Sequence, residues 1–267
     1  MFRNLLFKTL YDKRWFMLGW SLGLIAMLAL TLAFFPALSQ GNGLRQLLTN
    51  VPKQLQGLLG DIDAYRTATG YLASAIFDLR IPLLALPMAI ILGISLGVSE
   101  EASGQLYQLI ARPISRGTIV FQKWLALLAV LLTTHIAMLL GAAATLLAIH
   151  EHVAYATMFS IILMSWLLTL VIGSITLLLG FATGRKGLVT ALSSMFAFAS
   201  YLVTSFVAQV SWLKKVDYVS LFHYYKPTEV AKHGLNFAHV GLFVGLAMLC
   251  VLVSVVIFSK RDIGLSA

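Results

Sequence analysis

Few residues in this 267-residue chain could do chemistry, and their surroundings restrict what each could do. Glu100 and Glu101 stand together at the end of a long apolar run. Paired carboxylates at a membrane edge could form salt bridges with nearby arginines or meet a partner surface. His135, flanked by Thr133 and Thr134, is the one histidine well inside an apolar run. As an intramembrane ionisable group it is a candidate for a proton relay or a polar pathway residue. The plainer role, a hydrogen bond between helices, is favoured. His150 and His152 lie two apart, on different helix faces and with no cysteine partner, so no metal is expected there. Asp78 and Arg80 are placed to pair with each other or with loop residues. The single cysteine, Cys250, excludes an internal disulfide and a cysteine-based metal cage.

The elements that carry these groups follow from composition. The chain is 60% hydrophobic and 11% charged, with a mean hydropathy of +0.90. A soluble domain is nearer ~45–50% apolar and ~25% charged, so a water-soluble enzyme and a disordered chain are both excluded. Six apolar runs are long enough to cross a bilayer: about 15–35, 81–99, 124–149, 154–183, 188–210 and 240–259. They are continuously apolar, whereas barrel strands would alternate over ~10 residues. The first run exceeds a signal-peptide core and follows a charged lead, so it is expected to stay in the protein. No internal repeat or low-complexity linker divides the chain, which reads as one membrane domain over 1–267.

Six spans put both termini on one side. Eleven of the nineteen basic residues fall on that side, among them Arg3, Lys8, Arg116 and Arg261. The other eight are spread over two long connections, where charge matters less for insertion. Both termini are therefore expected in the cytoplasm, and the net charge of +9 reads as contact with anionic lipid, not nucleic acid. Residues 1–14 form an amphipathic interfacial helix, with Phe2, Leu5, Leu6, Leu10 and Tyr11 on one stripe. The two outer connections, 37–80 and 211–239, are too apolar and aromatic for free loops. They read as short helices lying on, or dipping into, the outer interface.

The segment between spans two and three is the most informative. After Glu100 and Glu101 comes a short helix with Leu106, Leu109 and Ile110 on one face. Pro113 ends it, because the residue before a proline disfavours the α region. Ser115 is placed to cap the next helix, and Arg116 and Lys123 to hold that helix at the headgroups. A plain connection needs only polar turn residues. This one builds a charged and apolar helix suited to a groove on another protein.

The order Glu100 or Glu101, Gly104, Leu106, Leu109, Ala111, Pro113, Ile114, Ser115, Arg116, Ile119 and Lys123 resembles a known segment. It looks like the coupling helix of ABC-transporter membrane subunits of the type-two export class. The N-terminal amphipathic helix, Gly70-Tyr71-Leu72 with Phe77, and Ser220 through Pro227 are similar to further parts of that family. Gln105 departs from it, since the family often has threonine after the glycine. The resemblance implies a membrane subunit of an ATP-driven exporter in the plasma (inner) membrane of a prokaryote. It implies a second permease subunit, homo- or heterodimeric, and two copies of a separate cytoplasmic ATPase that binds ATP and Mg. The ATPase-coupling residues would then be Glu100, Glu101, Gly104, Gln105, Leu106, Leu109, Arg112, Pro113 and Arg116, within a coupling segment of 100–116. Alternating access would drive transport.

The remaining sequence is consistent with a subunit that is not itself an enzyme. The phosphate-binding pattern G-x-x-x-x-G-K-[ST] is absent, and Gly184-Arg185-Lys186-Gly187 has neither its spacing nor its hydroxyl. A glutamate-dependent intramembrane protease would want an arginine where Gln105 stands. A serine protease would want a serine within a span and a matching histidine, and His135 is the only histidine well inside one. An ion-coupled carrier or channel would want charged groups at mid-bilayer. Only His135 is offered, so the expected pathway is for an apolar or amphipathic substrate or lies at a dimer seam.

Overall fold

The computed structural model describes residues 5–40, 62–99 and 115–261. Among these residues every regular element is helical and no strand occurs. Six helices are long and apolar enough to cross a membrane, numbered here as spans one to six: Arg14–Ala37, Ala68–Gly97, Arg116–Ala148, Tyr155–Thr183, Lys186–Phe206 and Phe237–Lys260. The all-helical, six-span architecture is the one read from the sequence. Its cause is that hydrocarbon offers backbone N–H and C=O groups no partner, so each must be satisfied within its own helix.

Several boundaries differ from the hydropathy reading. Span two begins at Ala68, not near Ile81. Hydropathy breaks at Asp78 and Arg80, yet Leu72 through Phe77 are buried, and Arg80 turns its guanidinium back onto the Ala75 carbonyl at 2.5 Å. The stretch Leu72–Arg80 is π-helical and joins the outer turn, Ala68–Tyr71, to the α-helix Ile81–Gly97. Span three begins at Arg116, not near Trp124. Ser115 caps it as the sequence suggests, its Oγ accepting from the Thr118 N–H at 3.1 Å. Span three has 33 residues. At ~1.5 Å per residue that is roughly 50 Å, well beyond the ~30 Å of hydrocarbon, so its charged first turns need not sit in lipid. Span five ends at Phe206, because the Gln209 and Val210 N–H groups both return to the Phe206 carbonyl.

The N-terminal helix, Leu5–Asp12, lies against the start of span three. Leu6 and Leu10 pack on the core. Tyr11 does not share their face: it is exposed and carries the Arg14 guanidinium 3.9 Å above its ring. The outer segment after span five is a chain of short turns, Ser211–Lys215, Asp217–Val219, Leu221–Tyr224 and Pro227–His233. Leu221, Phe222 and Tyr225 are buried, so this segment dips into the bundle.

Span four is the central helix, packed on spans two and six, while span one packs on span three. A Cβ added at Gly93 would stand 2.8 Å from Thr176 Cβ and 2.9 Å from the Gly173 carbonyl oxygen. One added at Gly97 would stand 3.2 Å from the Leu177 carbonyl oxygen. The Gly93-x-x-x-Gly97 pair therefore serves packing inside the subunit. In lipid, where no hydrophobic drive acts between helices, such close approach is the source of association. Gly184 has a different role. Its φ of 63° ends span four in a left-handed turn, with its N–H returning to Gly180, a conformation that costs glycine little.

Candidate functional site

Glu100, Glu101, Gly104, Gln105, Leu106, Leu109, Arg112 and Pro113 lie outside the described residues. The frame around them is described. Lys13, just past the N-terminal helix, donates to Ser95 Oγ in the last turns of span two. Arg116, the first residue of span three, turns inward. Its guanidinium donates to the Arg261 carbonyl at 2.6 Å and the Phe258 carbonyl at 3.3 Å. Phe258 lies in the last turn of span six and Arg261 caps it, where a helix leaves acceptors unpaired and favours a cation. The end of span two, the start of span three and the ends of spans four and six thus meet at one end of the bundle. The sequence reading assigned Arg116 to a docking surface. In the structure its donors are turned toward the protein's own helices.

A second feature lies along the bundle. Spans two and five enclose a lateral groove of about 430 Å³. One wall carries Pro82, Leu86, Pro87 and Ile90; the other carries Thr190, Ser194, Phe198 and Tyr201. No charged side chain lines it. Pro87 lacks an N–H and crowds the preceding turn, which disturbs span two where the groove passes. Phe198 and Met195 are exposed along span five. Such a groove can accept hydrocarbon chains or a facing helix, with hydroxyls on one wall to orient a polar end. Periodicity could not show it, because the two walls are distant in sequence.

His135 is not in the groove. It is buried between spans three and four, with Nδ1 2.8 Å from the Leu131 carbonyl and Nε2 3.4 Å from Ser165 Oγ. A carbonyl only accepts, so Nδ1 carries a proton and Nε2 faces the serine hydroxyl. The geometry is that of a packed hydrogen-bonding residue. Trp124 joins the same two spans through its indole N–H to Ser174 Oγ at 2.9 Å.

The outer segment is anchored by a polar cluster that the sequence reading did not single out. Asp217 Oδ2 meets His223 Nδ1 at 2.5 Å, and Thr204 of span five donates toward Asp217 Oδ1 at 2.9 Å. Ser220 Oγ donates to the Ser200 carbonyl at 2.7 Å and accepts from the Phe222 N–H. Tyr225 donates to the Phe77 carbonyl in the π-helical stretch at 2.8 Å. Burial, and then the nearby Asp78 carboxylate, push the Tyr225 hydroxyl well above the usual phenol range. Tyr225 therefore remains a donor at any physiological pH.

A family model described as ABC-2 family transporter protein matches residues 8–263. No curated protein gives a match.

Proposed function

The chain belongs to the ABC-2 transporter family and is a multi-pass membrane subunit of an ABC transporter, and from that premise we propose that it is the permease half of an exporter. It works as a dimer, with itself or a related permease, and two copies of a separate ATPase bind ATP and Mg. Both termini lie in the cytoplasm of a prokaryote, and the protein sits in the plasma (inner) membrane. The segment 100–116 docks on the ATPase, with Glu100, Glu101, Gly104, Gln105, Leu106, Leu109, Arg112 and Pro113 forming or shaping the docked surface. The chain itself contributes no group to hydrolysis and holds no cofactor.

The observation that carries the pathway is the groove between spans two and five. It is apolar, uncharged and open to one side, which fits a substrate with hydrocarbon character carried along a seam completed by the second permease. ATP-driven closure of the ATPase pair would pull on the docked segment and shift spans against each other. The drive is then the ATPase's preference for one of two permease states, with no chemistry in the membrane.

The test has two arms. Replacing both Glu100 and Glu101 by alanine is expected to abolish co-purification with the ATPase or its ATP-driven transport. If both survive, the coupling assignment is wrong. Phe198→Cys in the dimer is expected to cross-link between permeases without nucleotide and to lose that cross-link in the vanadate-trapped state. Absence of a cross-link in every state would remove the seam.

A further inference from the structure

We infer that Arg116 and Arg261 are positioning residues that clasp spans three, four and six into one lever, which moves as a body with the segment docked on the ATPase. The inference rests on the coupling reading above and adds the route by which movement leaves that segment.

The clasp has two links. Arg116 is the last residue of the coupling segment and opens span three. Its guanidinium holds the Arg261 and Phe258 carbonyls at the end of span six. Arg261 in turn donates to the Phe181 carbonyl in the last turns of span four, at 3.1 Å. Each guanidinium thus satisfies carbonyls that a helix terminus leaves without an intrahelical partner, and each cation stands at the negative end of a helix dipole. A charge-assisted bond to a fixed carbonyl is stronger than a neutral one. Two of them in series join three helix ends with no flexible connection between.

Packing beneath the clasp makes it stiff. Phe181 and Phe258 are buried, with ring centroids 4.8 Å apart, and the Arg116 guanidinium lies 6.0 Å from the Phe258 ring centre. Next to Arg116, a Cβ on Gly117 would meet Val255 of span six at 3.3 Å. Span three therefore cannot slide on span six here without breaking the Arg116 bonds, nor span four on span six without breaking the aromatic pair and the Arg261 bond. Among the described residues, span five has no such tie at this end of the bundle. It starts after the turn at Gly184 and borders the open groove. Pulling the coupling segment would therefore turn spans three, four and six together and change their relation to span five.

Double electron–electron resonance on the intact permease–ATPase complex tests this. One spin-label pair sits at Phe121→Cys and Lys260→Cys, on spans three and six; a second sits at Phe121→Cys and Leu188→Cys, on spans three and five. All three label positions carry exposed side chains. Between the nucleotide-free and vanadate-trapped states, the first distance is expected to stay fixed and the second to shift. In Arg116→Ala, which frees span three from span six, the first distance should broaden or shift on trapping. Arg116→Lys, which can still bond one carbonyl, should restore it, and Arg261→Ala, which keeps the backbone carbonyl that Arg116 holds, should leave it fixed. A first distance that moves in the unsubstituted complex, or stays fixed in Arg116→Ala, overturns the clasp while leaving ATPase coupling intact. A second distance that never moves overturns the coupling reading and the lever with it. Thermal unfolding of each variant, which a merely structural role would lower, is read separately from the nucleotide-dependent shift.

Discussion

Replacing Gly93 by alanine puts the packing of spans two and four to a direct test. The new methyl would lie 2.9 Å from the Gly173 carbonyl oxygen and 2.8 Å from Thr176 Cβ. The closest ordinary C···O approaches are ~3.3–3.6 Å, so the helices must separate by roughly 0.5 Å. Neither opposing atom is the free end of a flexible side chain, so the backbone itself has to move. Overpacking of this kind costs about 1–3 kcal/mol. Against it stands alanine's helix preference over glycine, about 0.5–1 kcal/mol. Gly245→Ala supplies the comparison, because nothing lies within 4 Å of a Cβ at that position. The helix preference cancels between the two variants, which leaves the overpacking cost, about 1–3 kcal/mol, as their difference. Gly97→Ala, where the nearest atom would be 3.2 Å away, should fall between them. Thermal unfolding of detergent-purified protein reads the series, at about 2–4 °C per kcal/mol for a chain of this size. Equal melting of Gly93→Ala and Gly245→Ala would refute the assignment of Gly93 to the interface with span four.

Three further outcomes follow from the outer segment and the turn between spans three and four. Tyr225→Phe removes the donor to the Phe77 carbonyl and should lower stability by about 0.5–1.5 kcal/mol, read by the same melts; hydrogen exchange should rise first in 72–80. Asp217→Ala strips a partner from both His223 and Thr204 and should cost about 1.5–3 kcal/mol, the range for bonds to a charged group. Limited proteolysis of 211–226 would report it, and unchanged cleavage would count against the cluster as an anchor. His150 has a φ of 58°, where a side chain costs roughly 1–2 kcal/mol, so His150→Gly should melt no lower than the parent protein. A clear loss of stability there would show that the imidazole makes up for the strained backbone.

The number of spans was legible in the residues, because each is a continuous apolar run and hydrocarbon leaves the backbone no alternative to helix. The helix boundaries were less so. Hydropathy stops at a charge, whereas a helix stops at a cap. Arg80 lies inside span two because its guanidinium can fold back onto its own helix. Arg116 opens span three because Ser115 caps it and the helix outruns the bilayer. The glycine pair of span two was visible as a spacing, but a spacing does not say which helix it meets.

The sequence by itself determined the membrane class, the six helices, and the chemical poverty of their interiors, since these depend on composition along one dimension. It also carried the family, most specifically through the ordered residues around 100–123. What only the tertiary structure decided is which groups meet across long separations. Pairing Arg116 with Arg261, setting His135 against Ser165, tying Tyr225 to Phe77 and opening a groove between spans two and five all require helices distant in sequence to be neighbours. Uniformly apolar helices have no polar face from which that neighbourhood could be read. The close fit of glycine, carbonyl and ring settles it.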